Sequence, residues 1–214
     1  MLPKVSRMTR MKQMDAVQRH IRLSMELVMC MVCAMAFGLA AVAVNFAPLF
    51  YGDDFAYSGT LMMPLAFTLL SIGFANVIRT QWVLPQGRDT IFVHSVLTGA
   101  VINLIANFVL IPPFGAMGAA AATVLAEFSV PAVQFVYLRN ELPYAQYLKT
   151  TGVYCLFGLV MAGAVALLGH VLPLHGWGKL AVQVTGGAAV YGALCLTYWK
   201  LAKRSDIFRL MRRK

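Results

Sequence analysis

A chain of 214 residues in which 60% are hydrophobic and only 12% charged is too apolar for a water-soluble domain, where about 25% of residues carry charge. Several apolar runs reach the ~20 residues that cross a bilayer core, so the composition specifies an integral membrane protein and shows no soluble domain. The net charge of +10 would suit nucleic acid if it lined one face; instead the basic residues occupy the two ends and the short connections, the distribution that sets membrane topology.

Residues 1–22 carry Lys4, Arg7, Arg10, Lys12, Arg19 and Arg22 against Asp15. Leu2, Val5, Met8, Met11, Met14, Val17 and Ile21 recur every three or four positions. The segment reads either as an amphipathic helix lying on an anionic membrane face or as a basic cytoplasmic lead-in. It is too long and polar for the first part of a signal peptide.

The first span is expected at 23–51, with Glu26 at its inner edge, one turn or so from Arg19 and Arg22. Cys30 and Cys33 have the spacing of a redox or metal pair; inside an apolar helix they read as small packing residues. Gly52-Asp53-Asp54 breaks the run as a solvated outer loop.

The second span, 58–83, is interrupted by Pro64 and Gly73 and ends near Asn76 and Arg79; membrane helices tolerate such breaks when neighbours satisfy the freed backbone. The third, 91–111, places Ser95, Gly99, Asn103 and Asn107 four apart, hence on one stripe. Pro112-Pro113 stops that helix and Gly115 permits a turn.

The fourth span, 116–138, carries a small-residue face of Gly118, Ala122 and Ala126, which lets helices approach closely. A second stripe holds Thr123, Glu127, Pro131 and Gln134. The fifth and sixth spans fall at 147–172 and 178–201, joined through His175. His170 and His175 have no third ligand beside them, so no metal site is read.

With both ends inside, the inner segments hold 6, 2, 2 and 7 of the 18 Lys and Arg residues, and only Lys179 falls outside. This bias predicts six spans with both termini cytoplasmic. The domains expected are a basic amphipathic lead-in, 1–22, a six-helix membrane domain, 23–201, and a basic tail, 202–214.

Glu127 is the most informative residue. An acid at the centre of a span costs about 2.5–3.5 kcal/mol on insertion scales, and such residues face a bundle interior or a watery pathway. Pro131, one turn later, cannot donate to the carbonyl of Glu127 and is expected to bend the helix there, a gate element beside a polar group. Asn103 and Asn107 either glue helices together or line a cavity. Arg79 either meets an anionic head group or snorkels to the interface. Glu127, Asn103, Asn107, Thr123, Gln134 and Arg79 are thus the candidate transport residues. No nucleophile motif, phosphate loop, metal cluster or cofactor motif is read, so an enzyme has no positive support.

The hairpin then resembles a known family. Asn103-Leu-Ile-Ala-Asn107-Phe-Val-Leu-Ile-Pro112, Phe114-Gly115-Ala-Met-Gly118 and Ala122-Thr123-Val-Leu-Ala126-Glu127 resemble the late-helix hairpin of bacterial polysaccharide (O-antigen type) flippases. These belong to the multidrug/oligosaccharidyl-lipid/polysaccharide exporter superfamily. Leu2-Pro3-Lys4-Val5-Ser6 and Pro48-Leu-Phe-Tyr-Gly52 resemble the elements that follow the family's eighth helix and end its ninth. The resemblance implies an all-α polytopic fold of about fourteen helices, of which this chain matches helices nine to fourteen. It implies export of a polyprenyl-diphosphate-linked oligosaccharide across the bacterial inner membrane, with membrane lipid around the chain and no nucleic acid.

A six-helix piece supplies one wall of a cavity that opens by rocking two halves. It is therefore expected to be a truncated chain, a partner to a separately encoded amino-terminal half, or an inactive structural fragment. Other open readings are a drug exporter or lipid II-type flippase of the same superfamily, and a membrane enzyme on polyprenyl-linked sugars. The last would need paired acids at one interface, which only Asp53-Asp54 or Arg88-Asp89 offer.

Overall fold

The computed structural model describes residues 14–171 and 175–202, and every regular element among them is helical. The Leu-Pro-x-x-Ser element, most of the basic lead-in, residues 172–174 and nearly all of the basic tail lie outside the described residues. Helix α1 spans Met14–Tyr51, α2 Ala56–Ala66, α3 Thr68–Ile78, α4 Asp89–Leu138, α5 Tyr144–Val171 and α6 Gly176–Leu201. A short 3-10 turn, Asp53–Phe55, precedes α2. A π-turn, Arg79–Val83, and a 3-10 turn, Leu84–Gln86, follow α3.

Helix α1 is the central post, packing against α2, α3, α5 and α6, while α5 and α6 also pack on each other. Its buried stripe of Val17, Ile21, Met25, Met29 and Cys33 has no exposed area and follows the four-residue spacing of one helix face. The helix runs through position 22 without a break, and Val17 and Ile21 of the lead-in are core residues.

On α5 the buried residues Tyr147, Tyr154 and Met161 are seven apart, and on α6 Tyr191, Cys195 and Trp199 are four apart. Small residues set how near the helices come: a Cβ on Gly158 would lie 2.3 Å from the Phe37 ring.

Two polar clusters in this core are paired across helices, whereas among the described residues the buried Tyr144 and Tyr147 hydroxyls have no hydrogen-bond partner. Tyr154 donates to Glu26 Oε1 at 3.2 Å, and Trp199 Nε1 donates to the Tyr154 hydroxyl at 2.8 Å. Glu26, expected near the inner edge, is fully buried where α1, α5 and α6 meet. Gln183 is held by Asn45 at 3.3 Å and by the Val165 carbonyl at 3.2 Å. Asp53 and Asp54 are exposed, as expected for an outer loop.

The second expected span is three pieces. Pro64 lacks the N–H that would reach the Thr60 carbonyl; three residues on, Phe67 N bonds Pro64 O at 3.2 Å and Thr68 Oγ1 bonds Leu65 O at 2.7 Å, a tightened turn between α2 and α3. A single apolar segment, Asp53–Gln86, still runs through these pieces.

Among the described residues five helical segments are long and apolar enough to cross a membrane, where the sequence suggested six. The difference lies in α4. Its 50 residues would extend ~75 Å if straight, against a bilayer core of ~30 Å. It is not straight: Gly115 has φ 54° and ψ −130°, a non-helical pair. Arms 89–114 and 116–138 then lie antiparallel. Position 118 meets Leu110, Gly99 meets Ala126 and Val130, and His94 meets Tyr137. The two expected spans at 91–111 and 116–138 are the arms of this hairpin.

Candidate transport cavity

The hairpin packs chiefly on α2, α3 and the π-turn rather than on the central post. Its arms approach closely because both faces are small. Gly118, Ala122 and Ala126 are buried, as their spacing predicted. A Cβ at Gly118 would stand 2.0 Å from the Leu110 carbonyl oxygen, and one at Gly99 3.0 Å from Val130.

The base of the hairpin is clamped. Glu141, in the connection after α4, accepts from Arg88 at 2.6 Å and from Trp82 Nε1 at 3.0 Å. Partial burial opposes the charge on Glu141, but these two bonds and the Arg88 charge outweigh it and hold its carboxyl below the ordinary range. His94 Nδ1 and the Tyr137 hydroxyl lie 3.2 Å apart across the arms.

Between α3 and the two arms lies a cavity of about 600 Å³. Five of the six residues singled out from sequence line it: Arg79 from the π-turn, Asn103 from the first arm, and Thr123, Glu127 and Gln134 from the second. Asn107 is not in the lining; it donates its amide to Asn103 Oδ1 at 2.9 Å and so fixes that side chain. Thr123 donates back to the Ala119 carbonyl at 3.0 Å.

Arg79 lies over the Phe92 ring at 4.7 Å, a cation–π contact at the cavity wall. Among the described residues Arg79 Nε and Gln134 Oε1 are buried without hydrogen-bond partners. Gln134 is 1% exposed.

Ser71 and Asn76 of α3 complete the polar lining. Ser71, 2% exposed, donates its hydroxyl to the carbonyl of Glu127. This is the carbonyl that Pro131 leaves without a helical donor. The hydrogen bond therefore ties the hairpin to α3 at the level of Glu127. Arg79 lies eight residues beyond Ser71, or ~12 Å of helix rise. The cavity thus has a cationic end and an acidic middle, with amides between them. Sequence reading missed Ser71; the signal available was its four-residue spacing with Ala75 on α3 and with Arg79 at the start of the π-turn.

The exposed hairpin surface is strongly apolar, with Leu104, Ile105, Phe108, Phe128 and Val136 all outward. Among the described residues no three His, Cys, Asp or Glu side chains are grouped to hold a metal. His170 and His175 are exposed.

The described chain is thus an all-helical domain with membrane-length apolar segments and a polar cavity against an apolar hairpin. Residues 1–185 match the model of the lipid II flippase MurJ family. The chain belongs to that family. It is 22% identical over 197 residues to the probable low-salt glycan biosynthesis flippase Agl15 of Haloferax volcanii, covering 92% of this chain and 41% of that protein.

Among solved structures, the lipid II flippase MurJ in an inward closed conformation superposes with a TM-score of 0.75 at 14% identity, over 92% of this chain and 41% of that one. The chain therefore spans under half the length of both proteins it matches.

Proposed function

We propose that this chain forms one wall of a flippase for lipid-linked glycans, and that the cavity between α3 and the α4 hairpin is the wall's polar face. The observation that carries the reading is convergence. Arg79, Asn103, Thr123, Glu127 and Gln134 come from three separate helical segments and line one cavity.

The arginine end suits a diphosphate, and the amides and hydroxyl suit sugar hydroxyls. The substrate proposed is a polyprenyl-diphosphate-linked glycan. The family match supports a lipid II-type head group; the hairpin motifs support the O-antigen type as the second reading.

In this proposal the hairpin arms count as two crossings, giving six spans at 23–201 with a basic lead-in, a basic tail and both termini cytoplasmic. An odd count would put one basic end on the wrong side of a bacterial inner membrane. The opposing wall of the cavity comes from a second lobe, in the same polypeptide or separately encoded, because rocking of two halves around a central site is what moves cargo.

The test is complementation of cells depleted of their lipid II flippase, and separately of their O-antigen flippase, by the intact assembly. Glu127→Gln should lower rescue at least tenfold at equal membrane abundance. Undiminished rescue would exclude a required charge at that position, and rescue of only one strain would choose between the two head groups.

A further inference from the structure

The four cysteines of the chain take no part in the polar cavity, yet they are not scattered. Each cysteine of α1 faces one from another helix. Cys30 Sγ lies 3.6 Å from Cys195 Sγ on α6, and Cys33 Sγ lies 3.8 Å from Cys155 Sγ on α5. Three helices contribute, and the cysteines pair without remainder. They form two pairs rather than one metal site, since among the described residues no three such side chains are grouped to hold an ion.

Each pair joins a half-buried thiol, Cys30 or Cys155, to a buried one, Cys195 or Cys33. That asymmetry suits oxidation of the accessible sulfur followed by resolution by its hidden neighbour. Access is visible for Cys155. It lines an apolar groove of about 410 Å³ between α1, α3, the second arm of α4 and α5. The groove's walls include Phe74, Phe128 and Leu148, so it admits apolar reagents from the bilayer in preference to polar ones. The sulfurs are already in van der Waals contact, and torsion about the side chains must bring them to the ~2.05 Å of a disulfide.

We propose that the two cross-helix thiol pairs are an oxidative modification site, where an apolar hydroperoxide of the bilayer converts Cys33 with Cys155, and Cys30 with Cys195, into disulfides that staple α1 to α5 and α6. The Cys155 sulfur attacks the outer oxygen of the hydroperoxide and the O–O bond breaks. The thiol proton passes to the leaving alkoxide, which departs as an alcohol. The Cys33 sulfur then displaces hydroxide from the sulfenic acid, and that hydroxide leaves as water with the Cys33 proton. Two thiols are oxidised to one disulfide and one hydroperoxide is reduced to alcohol and water. The same sequence applies to Cys30 and Cys195.

The test uses the full chain in phospholipid vesicles treated with cumene hydroperoxide, then labelled with a polyethylene-glycol maleimide and mapped by peptide mass spectrometry. All four thiols should be lost to the maleimide, with linked peptides joining Cys33 to Cys155 and Cys30 to Cys195. Cys155→Ser and Cys155→Ala should each leave Cys33 labelled while the other cross-link still forms. Hydrogen peroxide at the same concentration should act at least tenfold more slowly on Cys33 with Cys155. Persistence of four free thiols, a Cys30–Cys33 link within α1, links between chains, or equal rates with the two peroxides would each overturn the proposal.

Discussion

Ser71→Ala removes the one hydroxyl that satisfies the Glu127 carbonyl. The site is 2% exposed, and Pro131 has no N–H to take the hydroxyl's place. An orphaned buried carbonyl costs about 1–3 kcal/mol, whereas side-chain hydrogen bonds between membrane helices average only ~0.6 kcal/mol and peak near ~1.7. The carbonyl here has no helical donor to fall back on, which puts the expected loss at the upper part of the second range, about 1–1.7 kcal/mol.

A double-mutant cycle isolates the cause. In a Pro131→Ala background the new backbone N–H can reach the Glu127 carbonyl, so removing the Ser71 hydroxyl should then cost little. The coupling should be about 1 kcal/mol, within the usual range for neighbours. The assay is denaturant unfolding of the purified chain in mixed micelles, comparing wild type, both single variants and the double. If Ser71→Ala costs the same with and without Pro131, or nothing in either, the bond does not anchor the hairpin and the reasoning fails.

Other expectations concern glycines and the clamp at the hairpin base. Gly118→Ala places a Cβ 2.0 Å from the Leu110 backbone oxygen, an overlap that cannot relax by side-chain motion; it should cost about 1–3 kcal/mol, read as a lower thermal midpoint. Gly115→Ala meets no atom within 4 Å but must hold φ 54°, so it should cost a similar ~1–3 kcal/mol through backbone strain alone. By contrast Gly152→Ala and Gly192→Ala face open space inside helices and should stabilise by up to ~1 kcal/mol; a lower midpoint in either would contradict the helix packing described.

Glu141→Gln should cost no more than ~1 kcal/mol, since the Arg88 pair is partly exposed. The carboxyl of Glu141 lies below its ordinary range. Its contribution is therefore complete above the unfolded value of about 4.3 and is lost as pH falls through the lowered folded value. Melting curves of wild type and Glu141→Gln should differ by a constant amount down to about pH 4.3 and converge below it. A gap that widens in acid would refute the assignment.

The hairpin and its polar stripe were legible because their signals are local. Pro112-Pro113 followed by Gly115 marks a stop and a turn, and four-residue spacing puts Asn103 and Gly99 on one face whatever they pack against. That Pro131 frees the Glu127 carbonyl also followed from the sequence. The donor itself did not, because Ser71 lies 56 residues earlier and no periodicity specifies which face of α3 meets which arm. The same holds for Tyr154 on Glu26, the pairing of cysteines across three helices, and the use of Glu141 by both Trp82 and Arg88. Each is a long-range contact between residues that look ordinary in sequence. Pro64 and Gly73 mark 58–83 as an interrupted span, but neither places the break at Phe67 or the π-turn at Arg79–Val83.

The hairpin's placement has a consequence for how the protein loses structure. Its 89–138 chain leans on α2, α3 and the π-turn, while Val17, Ile21, Met25, Met29 and Cys33 of the central post α1 form a fully buried stripe. A segment with few contacts to the post is expected to open locally at lower free energy than the post itself. Amide exchange in the arms should outpace that along Val17, Met25 and Tyr154 by orders of magnitude. Substitutions on the outer face of the hairpin should therefore disturb the melting of the α1, α5 and α6 frame less than substitutions at Met25 or Tyr154.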